Sequence, residues 1–196
     1  MNETQVTSVL AVGVGGQGII RLSDILAQAA FSQGYDVKKS EIHGLAQRGG
    51  SVTSHVRWGA KVYAPATPDG EADYILALEE LEALRNAHVL KPGGVLIVNE
   101  FRLLPATVVS GKAKYPEDIG DRLREYGRVE RVAAAEIARA LGNVRASNVV
   151  LLGALSRHLD LGEKAWTGAL SKAFPPKYLD LNLKAFEAGR TVSQTG

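Results

Sequence analysis

The sequence contains no cysteine in its 196 residues. A chain without thiols cannot form a disulfide, act through a cysteine nucleophile or hold an iron–sulfur cluster with cysteine thiolates. If the protein belongs to an electron-transfer system, the clusters must therefore lie on another polypeptide.

Long apolar runs are also missing, and none approaches the roughly 20 residues that a membrane-spanning helix needs. Residues 1–5 are polar and acidic, unlike a secretory signal, so we expect a cytoplasmic chain with no membrane partner. The net charge of +2 is small and the Lys and Arg residues are scattered, so no nucleic-acid partner is expected.

The composition, with 45% hydrophobic and 22% charged residues, is ordinary for a globular protein. The length suffices to bury a core, so we expect residues 1–196 to form a single domain. Short apolar runs alternate with segments of helical periodicity. This pattern predicts an α/β fold of three-layer, Rossmann-like architecture, with a mostly parallel sheet, helices on both faces and a β-hairpin insertion. The predicted strands cover residues 7–12, 36–40, 51–58, 61–64, 74–78, 95–98 and 129–132.

The hairpin is predicted from alternating polarity over residues 51–58. Gly59 and Ala60 supply a two-residue turn, so residues 61–64 should return as its second strand. The first two strands of the chain, with the helix between them, should form a βαβ unit.

Weaker patterns predict three further details. Residues 91–94, with the sequence Lys-Pro-Gly-Gly, should form a turn between a helix and a strand. Residues 108–109 and 112–115 are candidates for short strands. Ser147 is a good N-cap for a late apolar helix.

Gly13, Gly15 and Gly18 form a G-x-G-x-x-G motif between the first strand and a helix. This arrangement aims backbone N–H groups at an anion, usually a phosphate, and is typical of dinucleotide-binding Rossmann domains. Glycine-rich turns also arise for packing, and the ribose-binding acid of such domains has no confident match, because Asp36 begins the second strand and Glu41 follows it. The candidate ligand-binding or interface residues of this turn are Gly13, Gly15, Gly16, Gln17 and Gly18.

A second glycine-rich segment, residues 41–52, joins two predicted strands. Its candidate ligand-binding or interface residues are Glu41, His43, Gln47, Arg48, Gly49 and Gly50. The guanidinium fork of Arg48 suits a phosphate or a carboxylate, and glycines let a ligand approach the backbone. Two alternatives are a polar surface loop with a capping glycine, and a loop stiffened by an ion pair between Arg48 and Glu41.

Polar residues also follow two later strands: Glu79, then Asn99 and Glu100. Because ligands bind beyond the carboxyl ends of strands in open α/β sheets, we expect these residues and both glycine-rich segments to meet at one edge. The simpler interpretation of Glu79 is that it opens a helix, where the dipole favours an acid.

The four histidines differ in their surroundings. His43 is the only one inside the glycine-rich segment, whereas His88 and His158 are expected to be structural or surface residues and His55 lies on a polar strand face. No grouping of His, Asp and Glu has metal-ligand spacing and no Ser-His-Asp arrangement is evident, so we assign no metal ligand and no catalytic residue.

The two glycine motifs together resemble the gamma-type domain of the 2-oxoacid:ferredoxin oxidoreductases. The resemblance is carried by Gly-Val-Gly-Gly-Gln-Gly at 13–18, Glu-Ile-His-Gly-Leu-Ala-Gln-Arg-Gly-Gly-Ser-Val at 41–52 and Ser-His-Val-Arg at 54–57. It spans nearly the whole chain and is strongest for the beta subunits of the indolepyruvate-type enzymes. Leu45 replaces a more usual methionine, which is a conservative departure.

The resemblance implies that the chain is inactive alone and holds no cofactor by itself. The partner would be an alpha subunit carrying thiamine diphosphate and 4Fe-4S clusters. The complex would decarboxylate an aryl 2-oxoacid, pass electrons to ferredoxin and transfer the acyl group to coenzyme A. The alternatives are a gamma subunit of a pyruvate- or 2-oxoglutarate-type enzyme, a stand-alone NAD(P)- or flavin-dependent oxidoreductase, and a subunit that only scaffolds its partner.

Overall fold

Six β-strands form one mixed sheet in the order β2-β3-β1-β4-β5-β6. The computed structural model describes residues 6–43 and 50–192, apart from the side chain of His43. β1, β4, β5 and β6 are parallel neighbours, whereas β3 is antiparallel to both β1 and β2. The strands are β1 (Thr7–Val14), β2 (Asp36–His43), β3 (Ser51–Gly59), β4 (Ala72–Ala77), β5 (Leu90–Asn99) and β6 (Arg128–Val132).

Eight α-helices lie in the described part of the chain. They are α1 (Ile19–Ser32), α2 (Glu80–Asn86), α3 (Ala106–Val109), α4 (Ile119–Arg124), α5 (Ala134–Ala140), α6 (Ser147–Ser156), α7 (Glu163–Ala173) and α8 (Pro176–Arg190). None of these helices has both the length and the apolar character that crossing a membrane demands.

The sheet is covered on both faces by apolar side chains. Because side chains alternate along a strand, Val9 and Ala11 of β1 join one hydrophobic cluster, and Leu10 and Val12 join the other. The larger cluster includes residues of α1 and of α5 to α8, and the smaller includes residues of α2 and α4. The predicted three-layer α/β fold is therefore confirmed.

The sheet has a switch point at β1. The chain passes from β1 through α1 to the β2 side of the sheet, while β4 pairs with the opposite side of β1. A crevice beyond the carboxyl ends of the strands is expected at such a point in an open α/β sheet. The residues that follow β1 and β4 are therefore the first to consider for function.

The hairpin prediction was wrong about its second strand, because β3 pairs with β2 and residues 61–64 contain no strand. Side chains bind the backbone groups that a returning strand would need. Arg57 donates to the carbonyl oxygens of Ala64 (3.0 Å) and Ala66 (2.9 Å). The N–H of Val62 donates to the Asp36 carboxylate (2.9 Å).

The opening βαβ prediction needs a correction of a different kind. β1 and β2 point the same way, as predicted, but β3 lies between them and pairs antiparallel with both. The strand next to β1 on this side is therefore not the strand that follows α1 in the chain. This geometry differs from that of a dinucleotide-binding domain.

The turn predicted at residues 91–94 is instead an irregular part of β5. Ala72 pairs with Leu90 and Tyr74 with Val95, so the extra residues bulge out of the ladder. The close approach of two strands requires Gly94, since a Cβ there would lie 3.0 Å from the Asp73 carbonyl oxygen.

The short strands predicted at residues 108–109 and 112–115 were also wrong. Pro105 precedes the short helix α3, and the N–H groups of Lys112 and Ala113 then both donate to the Thr107 carbonyl oxygen. Ser147 is the first residue of α6, and Ala146 occupies the cap position that we expected for it.

Candidate functional site

The turn after β1 is held together by the side chain of Gln17. Its Oε1 accepts a hydrogen bond from the Val14 N–H (2.7 Å), and its Nε2 donates to the Leu78 carbonyl oxygen (3.2 Å) at the end of β4. This side chain fits because residue 13 is glycine: a Cβ there would lie 2.6 Å from Gln17 Oε1. The G-x-G-x-x-G turn thus binds its own glutamine.

The carboxyl end of the turn remains open to a ligand. Gly18 precedes α1 with φ 82°, a conformation that favours glycine, and provides no side-chain cap. Among the described residues, no acceptor is found for the N–H groups of Gly16, Gly18, Ile19 and Ile20. The free N–H groups at the start of α1 lie at the positive end of its dipole.

The second glycine-rich segment meets this turn at its described end. The Gly15 N–H donates to the Gly50 carbonyl oxygen (2.9 Å). At the other end, Glu41 forms an ion pair with Lys39. Gln47, Arg48 and Gly49 lie outside the described residues, as does the His43 side chain, so their predicted roles stay predictions.

Asn99 ends β5 beside the same turn. Its Nδ2 donates to the Leu78 carbonyl oxygen (3.2 Å), which also accepts from Gln17. Its Oδ1 is buried without a partner in the described structure, and the residue is only 5% exposed. An unpaired buried amide oxygen is costly, and Asn99 is among the residues that line the larger cavity described below.

The amino-terminal end of α6 completes the site. The Asn148 side chain approaches the Gln17 carbonyl oxygen (Nδ2 to O, 3.5 Å). A Cβ on Gly18 would lie 2.5 Å from Asn148 Nδ2, so glycine is required for this close contact. Two helix amino-termini, those of α1 and α6, therefore meet at one point.

A cavity of about 820 Å³ lies between these elements. A second cavity of about 390 Å³ adjoins it and shares Arg21, Arg145 and Asn148 in its wall. We call the two together the carboxyl-edge groove. The polar wall of the larger cavity is formed by Gly16, Gln17, Gly18, Arg21, Asp24, Asn99, Arg145, Ser147 and Asn148.

The groove is positively charged. In the part of the chain that the structure describes, neither Arg21 nor Arg145 has an acidic partner; Arg21 lies over the Phe174 ring, 5.5 Å from its centroid. Asp24, the acid in the wall, is paired with Lys39. Two guanidinium groups and two helix amino-termini make the groove suited to an anion.

Glu79 does not contribute to the groove, and the interpretation that it opens a helix is confirmed. Its carboxylate caps α2 by accepting from the Glu82 N–H (2.8 Å), and it also accepts from the Leu103 N–H (3.1 Å) and the Tyr115 hydroxyl (2.9 Å). Burial, together with the Glu79 carboxylate, raises the pKa of Tyr115, so this hydroxyl remains a donor. Glu100 lies nearby and accepts from Arg131.

The described histidines have structural partners. His158 contacts the buried carboxylate of Glu130 (3.1 Å), and His88 lies near Asp69. His55 lies on the strand face that it shares with Arg57, as predicted, but it is buried there and accepts from the Thr67 N–H (3.2 Å). Burial lowers the pKa of His55, and the nearby charge of Arg57 lowers it further.

Three residues of the groove wall were not predicted from the sequence: Arg21, Arg145 and Asn148. Arg21 lies one turn after the glycine motif, on a helix that was predicted from the spacing of its apolar residues. Asn148 follows Ser147 at the start of a helix whose remaining residues are almost all buried. Two polar residues at the start of an otherwise apolar helix were the sequence signal that could have indicated Asn148.

No group of His, Cys, Asp and Glu that could hold a metal occurs within residues 6–43 and 50–192. The sequence also offers no cysteine thiolate. The residues present therefore do not fit an iron–sulfur cluster.

Residues 8–192 match the pyruvate ferredoxin/flavodoxin oxidoreductase family. The chain is 42% identical to indolepyruvate oxidoreductase subunit IorB of Archaeoglobus fulgidus, with 96% of each chain covered. It is 38% identical to the subunit of the same name from Thermococcus kodakarensis, with 93% of each chain covered.

The fold is shared with a solved 2-oxoglutarate:ferredoxin oxidoreductase from Magnetococcus marinus, whose structure has 2-oxoglutarate, coenzyme A and succinyl-CoA bound. The TM-score is 0.76 at 23% identity, over 98% of this chain and 32% of that one. The resemblance based on the two glycine motifs is therefore confirmed: the chain belongs to the pyruvate ferredoxin/flavodoxin oxidoreductase family.

Proposed function

We propose that this chain is the small subunit of an indolepyruvate- or arylpyruvate-type 2-oxoacid:ferredoxin oxidoreductase. The whole-length similarity to two indolepyruvate oxidoreductase subunits supports this proposal over the pyruvate- and 2-oxoglutarate-type alternatives. A partner alpha subunit would carry the thiamine diphosphate and 4Fe-4S clusters and reduce ferredoxin in the cytoplasm. The complex would convert an aryl 2-oxoacid and coenzyme A to the aryl-acyl thioester and carbon dioxide.

Within that complex, the carboxyl-edge groove would bind coenzyme A. The observation that carries this assignment is a cavity whose two arginines lack acidic partners among the described residues and lie beside two helix amino-termini. Coenzyme A carries a pyrophosphate and a 3′-phosphate, which charge-assisted hydrogen bonds recognise. A solved protein that shares this fold over 32% of its chain also has coenzyme A bound.

The individual groups would divide this task. Arg21 and Arg145 would meet phosphate oxygens, together with the open N–H groups at the start of α1. The chain would thus bind and orient the acyl acceptor, and thiamine chemistry would stay with the partner.

The stand-alone dehydrogenase alternative is less well supported by the geometry. In a dinucleotide-binding domain the ribose-binding acid ends the strand beside β1. Here that neighbour is the antiparallel strand β3, and Glu41 lies one strand further away, paired with Lys39. Asp36 lies at the opposite end of β2 and accepts from the Val62 N–H.

The test has a binding arm and an activity arm. Titrating coenzyme A into the isotopically labelled chain should shift the amide signals of Gly16, Gly18 and Asn148, whereas adenosine, which lacks phosphates, should shift them weakly. Shifts confined to other parts of the chain would reject the groove. The chain alone should not oxidise indolepyruvate, and turnover should require the alpha-type subunit. Activity of the lone chain, or micromolar NADH binding, would restore the dehydrogenase alternative.

A further inference from the structure

The start of β3 is held by two hydrogen bonds that connect different parts of the fold. The Gly50 carbonyl oxygen accepts from the Gly15 N–H (2.9 Å), one step beyond the β-ladder pair of Val14 and Ser51. The Ser51 hydroxyl donates to Glu82 Oε2 of α2 (2.6 Å). The turn beside the groove is therefore linked to α2 through Gly50 and Ser51, the residue before β3 and its first residue.

Glu82 is an unusual residue for this position. It lies in the first turn of α2 and is only 2% exposed. Its Oε1 is paired with Arg85, whose side chain is half exposed, and its Oε2 receives the Ser51 hydroxyl. Burying a carboxylate is unfavourable unless hydrogen bonds compensate for lost water, so the Ser51 contact gives this charge a specific purpose.

The other two glutamates at the start of α2 have different partners. Glu79 already caps the helix, and Glu80 binds Arg102 and Arg131. Of these three neighbouring glutamates, Glu82 is the one bonded to the start of β3. An apolar side chain would fill the same volume at lower desolvation cost but would not hold Ser51.

We propose that Glu82 is a positioning residue: through Ser51 and Gly50 it fixes the Gly15 N–H and thereby the turn of residues 13–18 that lines the groove. The expected effect of Glu82 on catalysis rests on the proposed function of the groove. The restraint of Gly15, which is the structural half of the inference, does not depend on any ligand. Glu82 itself does not line the groove.

Amide hydrogen exchange of the full chain tests the structural half. Glu82→Gln and Ser51→Ala should speed exchange at Gly15 by about tenfold relative to Leu76 in β4, as expected for loss of one charge-assisted hydrogen bond. Ser51→Thr keeps the hydroxyl and should restore slow exchange. Glu130→Gln is the matched control, because Glu130 is an equally buried carboxylate that contacts Arg157 and His158 instead. It should leave the Gly15 to Leu76 ratio unchanged.

Steady-state kinetics of the reconstituted complex test the catalytic half. Glu82→Gln and Ser51→Ala should each raise the KM for coenzyme A several-fold with kcat within twofold, and the double variant should be no worse than either single one. A Gly15 exchange rate like that of the wild type, or an unchanged KM while Arg145→Ala raises it, would overturn the positioning role. If Arg145→Ala itself leaves the KM unchanged, the coenzyme A assignment fails, and the exchange rates alone decide whether Glu82 holds the turn.

Discussion

Arginine side chains have opposite surroundings in two neighbouring regions of this protein. Around the first turn of α2, Glu80 is bound by Arg102 and Arg131, and Glu82 by Arg85. In the carboxyl-edge groove, a short distance along the same sheet edge, Arg21 and Arg145 have no carboxylate partner among the described residues. The charges of the first region are neutralised within the fold, and those of the second can meet an external anion.

The partners of each arginine therefore distinguish charges that stabilise the fold from charges that can bind a ligand. A cation satisfied by a buried acid contributes to stability, and its loss leaves the acid without compensation. A cation without such a partner contributes little to stability, so its presence in a cavity needs another explanation. The groove should therefore lose binding but not stability when its arginines are removed, and the α2 region should show the reverse.

The largest effect is expected from Arg131→Ala. The substitution removes one of the two arginines that compensate the buried Glu80 carboxylate, so the free energy of unfolding should fall by about 2–3 kcal/mol. Urea unfolding followed by circular dichroism measures this change. Asp121→Ala is the control, since Asp121 belongs to an exposed pair with Arg124 and should cost less than about 0.5 kcal/mol. Equal losses for the two variants would contradict the comparison.

Arg145→Ala should give the opposite result. Stability should stay within about 0.5 kcal/mol of the wild type, while the KM for coenzyme A rises about tenfold through loss of a charge-assisted contact. Arg139→Ala makes the same change of charge on α5, outside the groove wall, and should leave the KM unchanged. A large loss of stability with an unchanged KM would place Arg145 among the structural arginines.

Arg48 is a further arginine for which a ligand-binding role is predicted. Because it lies outside the described residues, this prediction comes from the sequence alone. Arg48→Lys keeps the charge but removes the planar fork, and Arg48→Ala removes both. If the segment binds an anion, both complexes should assemble normally and show a KM raised several-fold for one ligand, or a lowered turnover. Wild-type kinetics for coenzyme A and 2-oxoacid in both would leave the segment a purely architectural role.

The smallest effect is expected at His55, which is buried with a hydrogen-bond partner but without a charge. Its folded-state pKa lies below the ordinary value of 6.5, so the unfolded chain takes up a proton first as the pH falls. The wild type should therefore lose up to about 1 kcal/mol of stability between pH 7.5 and 5.5 relative to His55→Asn, which retains an acceptor for Thr67. Above about pH 7.5 the stability curves of the two proteins should run parallel, because His55 is then neutral in both the folded and the unfolded chain. Curves that stay parallel down to pH 5.5 would contradict the assignment.

The sequence predicted the fold where the signal is local. The apolar runs of β1 and β5 and the helical periodicity of α1 depend on neighbouring residues, and these elements were found. The pairing of β2 with β3, with β3 placed beside β1, depends on contacts between distant segments. The failure at residues 61–64 has the same origin, because Arg57 uses backbone groups that the sequence pattern left available for a strand.

The candidate site shows the same division. The glycine motif and Asn99 were predicted at one sheet edge, and the structure joins them through the Leu78 carbonyl oxygen. Arg145 and Asn148 lie more than 100 residues after the glycine motif, and only the packing of α6 against the turn brings them there. No periodicity or spacing in one sequence encodes that contact.

The most direct test of the account is the Kd of coenzyme A for the reconstituted complex, measured calorimetrically without 2-oxoacid. Removing both groove arginines, with Arg21→Ala and Arg145→Ala combined, should weaken binding at least about 30-fold, equivalent to about 2 kcal/mol. The double variant Arg124→Ala and Arg139→Ala changes the charge equally outside the groove and should bind as the wild type does. An unchanged Kd for the groove variant would contradict the claim that these arginines are reserved for a ligand.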